Sequence, residues 1–511
     1  MREPPGGDAA RKGEEVRRLA AALASFAALS FARAAIASPV FELTGAASGN
    51  GGLNARVAGT GAASTYFNPA LLANTEQGFE LSLLVLRDEI GIKVDGRARG
   101  DVPDAVGARD IVDGSGAPIS NLTVPTRWLQ RGCPPDECKG GGFAARPRQA
   151  AGSSGNTHFY QVLGLVNHVV KDRVVLGFHA IVPLGTFTTA KSFYNDEREQ
   201  FFSNSLHPEL YSDRLTATSL AFGLGAKLVE NFSLGVSFTL DLRNEAAAGT
   251  YVRDANDYNS LLLNTDVKVH ANVSPHFGAA WSPVDWLHLA GTVHSKQAFE
   301  IDTSFSALLP SGLVSKTERK EVHDFVPWTF GLGGGVDVFK TPEDTVSLVG
   351  HGAYALWSYY LDRHGESPGS YGRYLMWHDT MSGAVGARWD HGPLRTFLDV
   401  NYVPTPVPAQ IGRSNYVDSD RAGLSAGADY KFSFFGMSLR AGLMGQVHVL
   451  FRRAQQKTDY LLQDEVPDDA ATQAGVALPG RAGLQTNNPG YPGFSSHGAV
   501  FGGSASLALL Y

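Results

Sequence analysis

From residue 78 onwards, apolar and polar residues of the chain alternate one by one. Between residues 232 and 242 every second residue is apolar: Phe232, Leu234, Val236, Phe238, Leu240 and Leu242. Successive side chains of a β-strand point to opposite faces, so a strand here has one apolar and one polar face. A helix would mix the two kinds of residue on every face. The segment is therefore predicted to be a strand.

The same alternation recurs to the end of the chain, interrupted by connections of two kinds. Short connections lie near residues 170–172, 230–231, 282–285, 341–344, 390–392 and 434–436. Long polar ones cover residues 95–156, 191–212, 247–261, 304–321, 363–375, 405–420 and 453–496. A soluble β-sandwich has no reason to alternate short with long connections, whereas an up-and-down membrane barrel does so as a rule. The predicted fold class is all-β, an antiparallel transmembrane β-barrel of about fourteen strands over residues 78–511.

The N-terminus predicts export. Arg17 and Arg18 precede a short apolar run over residues 19–31, and small residues follow. This order of charge, apolar core and small residues is that of a secretory signal peptide, here residues 1–37. Together with a barrel, it predicts a location in the bacterial outer membrane.

Composition gives no sign of a helical membrane protein or of a nucleic-acid-binding protein. Hydrophobic residues make up 43% and charged residues 18% of the 511 residues, and no run approaches the roughly 20 apolar residues of a membrane-spanning helix. A net charge of -7 gives no basic surface for nucleic acid.

The two cysteines, Cys133 and Cys138, lie in a stretch rich in Gly and Pro, which favours a loop disulfide. Zinc would need further ligands close by, so no metal and no cofactor is predicted.

One enzyme motif is present. Residues 423–427 match G-x-S-x-G, but a nucleophile elbow needs a turn from strand to helix. Here Ser425 lies within the alternating pattern of a predicted strand. No enzyme is predicted.

Two segments resemble a known family. Residues 61–72 are small and apolar and contain Asn68, Pro69 and Ala70, followed by Leu71. A late segment carries Pro406, Pro408, Asp418, Asp420 and Arg421 in a similar order and spacing. In both segments the chain resembles the FadL family of outer-membrane transporters, although that family often has Gly where Leu71 stands. The resemblance extends from the N-terminal segment to the last strand.

The resemblance implies a function. Residues 38–77 would form a hatch that plugs the lumen, and hydrophobic compounds would cross by diffusion, with long-chain fatty acids expected first. A lumen cation would then meet the carboxylate; the candidates in the polar register are Lys268, His270, Arg388, Arg395, Arg440 and His448. The alternative for each is a charge that only neutralises another lumen residue.

The family also implies a sideways exit at a kinked third strand. Here that strand contains Pro183 and Gly185, which could form the kink or mark the outer end of the strand. Expected partners are a hydrophobic small molecule and outer-membrane lipid with lipopolysaccharide, no nucleic acid, and no second copy of the chain. Two alternatives stay open: an aromatic hydrocarbon channel, and a non-transporting barrel that acts as a surface or carrier protein.

Overall fold

A computed structural model describes most of the chain after the predicted signal peptide. The described residues are 39–95, 150–152, 156–185, 206, 215, 218–242, 262–270, 273–308, 314–362, 365–412, 414–458 and 490–511. The signal peptide and both cysteines lie outside them. Those predictions therefore remain predictions.

The described residues form eighteen strands, numbered in chain order. They are β1 Gly78–Val94, β2 Ala150–Gly152, β3 Asn156–Val170, β4 Val174–Pro183, β5 Thr218–Val229, β6 Phe232–Leu242, β7 Leu262–His270, β8 Val273–Val284, β9 Leu287–His294, β10 Gln297–Leu308, β11 Val314–Val326, β12 Thr329–Lys340, β13 Asp344–Ala355, β14 Thr380–His391, β15 Leu394–Val403, β16 Arg421–Phe434, β17 Met437–Gln456 and β18 Gly493–Leu510.

Fourteen of these strands close into one antiparallel barrel. The order around the wall is β1, β3, β4, β5, β6, β8, β9 and then β12 to β18, and the short β2 pairs with the end of β1. The last strand returns to the first, with a register that runs from Gly78 opposite Leu510 to Val94 opposite Phe494. The fold class predicted from the alternation is confirmed.

The outer face of the wall is apolar. On β14, Met381 and Val385 are 72% and 66% exposed, whereas Ala384 and Arg388 point inwards and are 5% and 4% exposed. Exposed aromatic residues lie towards both ends of the wall; Trp281, Trp389, Tyr430 and Phe435 lie near the short turns, and Tyr354, Tyr402 and Phe451 near the long connections. An apolar band between two aromatic girdles is the lipid-facing surface of a membrane barrel.

Three strands extend the wall beyond the band on the side of the long connections. Strands β7, β10 and β11 pair with each other in the order β11, β10, β7 and continue β8, β9 and β12. Residues 304–321, expected as a polar connection, instead belong largely to β10 and β11. The sequence did not show this because a strand outside the membrane needs no lipid-facing apolar side, and the Lys and Glu residues of β11 follow no such pattern.

Residues 39–77, the N-terminal segment, lie inside the barrel. Their helices are short: α1 Pro39–Thr44, α2 Ala55–Ala58, α3 Ser64–Phe67, and two 3-10 helices, Gly52–Asn54 and Pro69–Asn74. Val40 and Phe41 are 0% exposed and share one apolar cluster with wall residues such as Leu84 and Tyr160. The barrel core is therefore made jointly by the N-terminal segment and the inner face of the wall.

Candidate functional site

The Asn68-Pro69-Ala70 turn is held by its own hydrogen bonds. Asn68 Nδ2 donates to the Arg56 carbonyl at 2.9 Å, and Asn68 Oδ1 accepts from Ala70 N at 3.1 Å. That second bond caps the 3-10 helix that begins at Pro69. Asn68 is thus needed because its side-chain amide both donates and accepts a hydrogen bond. Pro69 fits the first position of the helix because it has no N–H to satisfy.

Three wall glycines lie beneath this turn. Gly225, Gly235 and Gly278 lie opposite one another on β5, β6 and β8. A Cβ on any of them would lie less than 3.0 Å from Asn68 or from residues 69–72. We call these three residues the glycine row. The row lets the backbone of the turn lie directly on the wall, and Ser233 Oγ adds a hydrogen bond of 2.9 Å to the Ala70 carbonyl.

Residues 51–54 of the N-terminal segment are bound to the wall mainly through one charged pair. Arg388 forms a two-pronged pair with Asp399, at 2.6 Å and 3.0 Å, and also donates to the Gly51 carbonyl at 2.9 Å. Asp399 in turn accepts from Leu53 N at 2.9 Å and from Asn54 Nδ2 at 2.8 Å. Both wall side chains are almost fully buried. The candidate cation Arg388 therefore already has a carboxylate from the protein.

Two other candidate cations are also paired. Arg395 binds Asp429 through two bonds of 2.9 Å and 3.0 Å and reaches Thr60 of the N-terminal segment at 3.0 Å. Arg440 lies 3.3 Å from the same Asp429 and also pairs with Glu76. In all three pairs the structure shows the arrangement given above as the alternative, in which lumen charges neutralise one another.

The remaining candidates are not brought together with these three. His448 is buried in β17, opposite Gly423. Lys268 and His270 belong to β7, in the extension above the membrane band, and their side chains lie outside the description. None of the four candidates whose side chains are described, Arg388, Arg395, Arg440 and His448, lines the cavity described next.

A cavity of about 150 Å³ lies between the N-terminal segment and the end of the barrel with the long connections. Its floor is formed by Leu43, Gly45, Leu53, Arg56 and Phe67. Phe325, Trp357, Val403, Pro404 and Pro406 supply apolar walls nearer the mouth. The lining is thus mainly apolar, as in most small-molecule sites.

The charges of the cavity balance. Arg56 pairs with Glu42 at 2.6 Å, and Tyr66 donates to the same carboxylate oxygen at 2.6 Å. Arg56 Nη1 also lies 3.0 Å from His294 Nε2 on the wall. At the mouth, Asp418 and Arg421 add one further charge of each sign. The lining therefore contains two acids and two arginines, whose formal charges cancel.

An aromatic cluster adjoins the cavity at the mouth. Tyr360 and Trp377 stack with ring centres 3.6 Å apart, and Tyr416 meets the Trp377 ring edge-on at 5.4 Å. Phe325 and Trp357, whose rings are 6.2 Å apart, belong to both the cluster and the cavity wall. The cluster makes the mouth apolar. Sequence reasoning missed it because its members come from three separate segments.

The late segment similar to the FadL family folds over the same mouth. Asp420 accepts from Thr405 N and from the Tyr402 hydroxyl, both at 2.8 Å. Asp418 accepts from the Thr405 hydroxyl, and burial raises the pKa of its carboxyl to about 6. Pro406 and Arg421 line the cavity, and the Pro408 carbonyl accepts from Gln410 Nε2 at 2.9 Å. The motif is therefore a structural part of the mouth.

The candidate kink lies at the end of a strand. Pro183 is the last residue of β4, and Gly185 follows two residues later with a φ of 144°. The ladder from β4 to β5 is continuous from Val174 to Ile181. A lateral opening at this place stays a prediction.

Two findings concern other classes of site. Among the residues that the structure describes, no group of three or more His, Cys, Asp or Glu side chains is arranged to hold a metal ion. Within the same described ranges, no helix has the length and apolar character required to cross a membrane.

Comparison with known proteins gave matches to solved structures only. No family model and no curated protein matches the chain. A Pseudomonas aeruginosa FadL homologue is similar to it at 15% identity, with 94% of this chain and 99% of that one covered and a TM-score of 0.48. FadL-type proteins are thus among its structural neighbours.

Two toluene transporters also match. TodX of P. putida does so at 12% identity over 89% of this chain and 97% of that one, with a TM-score of 0.44. TbuX of Ralstonia pickettii does so at 11% over 93% and 98%, with a TM-score of 0.41. The strand pairing of this chain by itself defines the closed barrel.

Proposed function

We propose that this protein lets hydrophobic compounds cross the bacterial outer membrane by diffusion. The observation that carries the proposal is the apolar cavity between the mouth and the N-terminal segment, inside a barrel whose outer face is apolar. The N-terminal segment acts as the plug, since residues between 42 and 67 form the floor of the cavity. A solute that enters at the aromatic mouth must pass this floor or the wall beside it.

The cavity favours a small uncharged solute over a long-chain fatty acid. A cavity of about 150 Å³ has the size that accommodates benzene. Arg56 already pairs with Glu42, so a fatty acid carboxylate would have to displace a protein carboxylate to reach it. Aromatic hydrocarbons are therefore the first solute that we propose, and fatty acids the second.

Uptake by whole cells tests this proposal. Bacteria without their own transporter would express the protein and receive radiolabelled toluene or oleate in parallel. We expect toluene uptake to exceed that of cells with the empty vector, and oleate uptake to rise less. The Ala384→Phe variant, which fills the cavity from β14, is expected to remove the gain.

The neighbouring residue supplies a matched control. Val385 lies on the same strand but faces lipid, so Val385→Phe adds the same ring outside the lumen and should leave uptake unchanged. If neither compound entered faster than in control cells, transport would be refuted and the surface or carrier protein would become the leading hypothesis. A gain for oleate alone would reverse the order of the two solutes.

A further inference from the structure

Two stretches of the N-terminal segment are attached to the wall by different kinds of contact. Residues 64–74 are seated by shape, because the glycine row leaves room for the backbone of the Asn68-Pro69-Ala70 turn. Residues 51–54 are held by hydrogen bonds, most of them to one charged pair, Arg388 and Asp399, and Asn54 Oδ1 also lies 3.0 Å from His351 Nδ1 on the wall. Close packing resists displacement in every direction, whereas a few hydrogen bonds can be released together when one carboxylate turns away.

Asp399 is the centre of the second attachment. Its Oδ2 accepts from Leu53 N at 2.9 Å and from Asn54 N at 3.3 Å, while Oδ1 accepts from Asn54 Nδ2 at 2.8 Å. Arg388 fixes the orientation of this carboxylate through its own two bonds. The backbone fits around it because Gly52 has a φ of 49° and no side chain at the point where a Cβ would meet Asp399 and Phe397.

This attachment lies directly below the cavity. Leu53, whose N–H is bound by Asp399, is also a residue of the cavity floor, together with Leu43 and Gly45. In contrast, Phe67 is the one residue among 64–74, all of which are described, that lines the cavity. Release of residues 51–54 would therefore open the floor at Leu53, whereas the Asn68-Pro69-Ala70 turn could stay in place.

We propose that Asp399, oriented by Arg388, is the positioning residue that keeps residues 51–54 on the wall and Leu53 in the cavity floor, while residues 64–74 remain fixed on the glycine row. The plug thus has a releasable stretch, residues 51–54, and an anchored stretch, residues 64–74. Asp399 decides whether the floor of the cavity is closed at Leu53. The proposal extends the proposed function, but it concerns closure of the lumen and can be tested without any solute.

Hydrogen exchange of the full-length protein in detergent, read by mass spectrometry of peptides, gives the test. In Asp399→Asn we expect exchange over residues 45–58 to accelerate about tenfold or more, the factor implied by loss of one hydrogen bond to a charged group. Exchange over residues 64–74 should not change. Conductance in planar bilayers should rise in parallel, which a purely structural role elsewhere in the wall would not produce.

Two further variants make the result decisive. Asp337→Asn removes a wall carboxylate whose contacts, Lys340, Ser347 and His288, are all on the wall, so it should change neither readout. Gly52→Ala changes only the plug, and its methyl group would push the backbone away from Asp399. Gly52→Ala should accelerate hydrogen exchange over residues 45–58 in the same way as Asp399→Asn. It replaces Asp399→Asn as the test if that variant does not give the heat-resistant folded band on gels.

The outcomes separate cleanly. Selective loosening of residues 45–58 with raised conductance supports the proposal. Unchanged exchange, or equal loosening of residues 45–58 and 64–74, in the folded variants would overturn it. Because neither readout uses toluene or oleate, failure of the transport proposal would leave this result standing, and the reverse also holds.

Discussion

Replacement of Gly235 by alanine is expected to lift the Asn68-Pro69-Ala70 turn from the wall. The new Cβ would lie less than 3.0 Å from backbone atoms of Pro69 and Ala70, which cannot rotate away as a side-chain tip could. Overpacking of this kind costs about 1–3 kcal/mol, which corresponds to a roughly 5- to 150-fold shift towards the unseated turn. Alanine would otherwise stabilise a strand interior by about 0.5–1 kcal/mol relative to glycine, so the net cost falls at the lower part of that range.

The assay compares Gly235→Ala with Gly445→Ala, a glycine of β17 around which a Cβ would find open space. Hydrogen exchange over residues 64–74 should accelerate in the first variant only, and bilayer conductance should rise with it. Heat-resistant migration on gels would show that both barrels are folded. Equal exchange in the two variants would refute the view that the glycine row seats the turn.

Three further predictions concern the plug and the mouth. Deletion of residues 39–74 should leave a folded barrel with raised conductance in planar bilayers, because β1 and β18 close the wall without it; unchanged conductance would remove the plug role. Trp357→Ala enlarges the cavity and should raise uptake of naphthalene relative to toluene several-fold, whereas Trp389→Ala on the lipid face should leave that ratio as it is. Asp418 has a pKa of about 6 against an ordinary 3.8, so its ionisation opposes folding. The protein should lose up to about 3 kcal/mol of stability as the pH rises from 4 to 7. Asp418→Asn should flatten this dependence of the unfolding temperature in detergent, and an identical slope in both proteins would contradict the assignment.

The candidate cations show which features of a site the sequence pattern predicts and which it does not. Arg388 and Arg395 were expected in the lumen from the polar register, and both point inwards. Their partners, Asp399 and Asp429, lie in the same register, yet the choice between a partner in the protein and a ligand carboxylate depends on distances across strands. Arg388 and Asp399 become neighbours only because β14 pairs with β15 with Ala387 opposite Leu398.

The cavity could not be read from the sequence. Its floor comes from residues 42–67 and its upper wall from segments between residues 325 and 421, so no local pattern unites them. Trp357 and Phe325 carry no periodic signal of their own. The end of β10 and most of β11 were missed for a related reason: a strand in water need not show the alternation that separates it from a polar loop.

The sequence by itself determined the wall of this protein: strands from residue 78 onwards, short turns at one end, and an even number of strands that close antiparallel. It could do so because contact with lipid imposes an apolar side chain at every second position, a signal that is local in the chain. Only the tertiary structure decided how the lumen is filled. The glycine row and the Arg388–Asp399 pair exist only through strand register. Inside the lumen, close packing and charge pairing join residues that are far apart in the sequence. No periodic pattern along the chain therefore indicates which residues make these contacts.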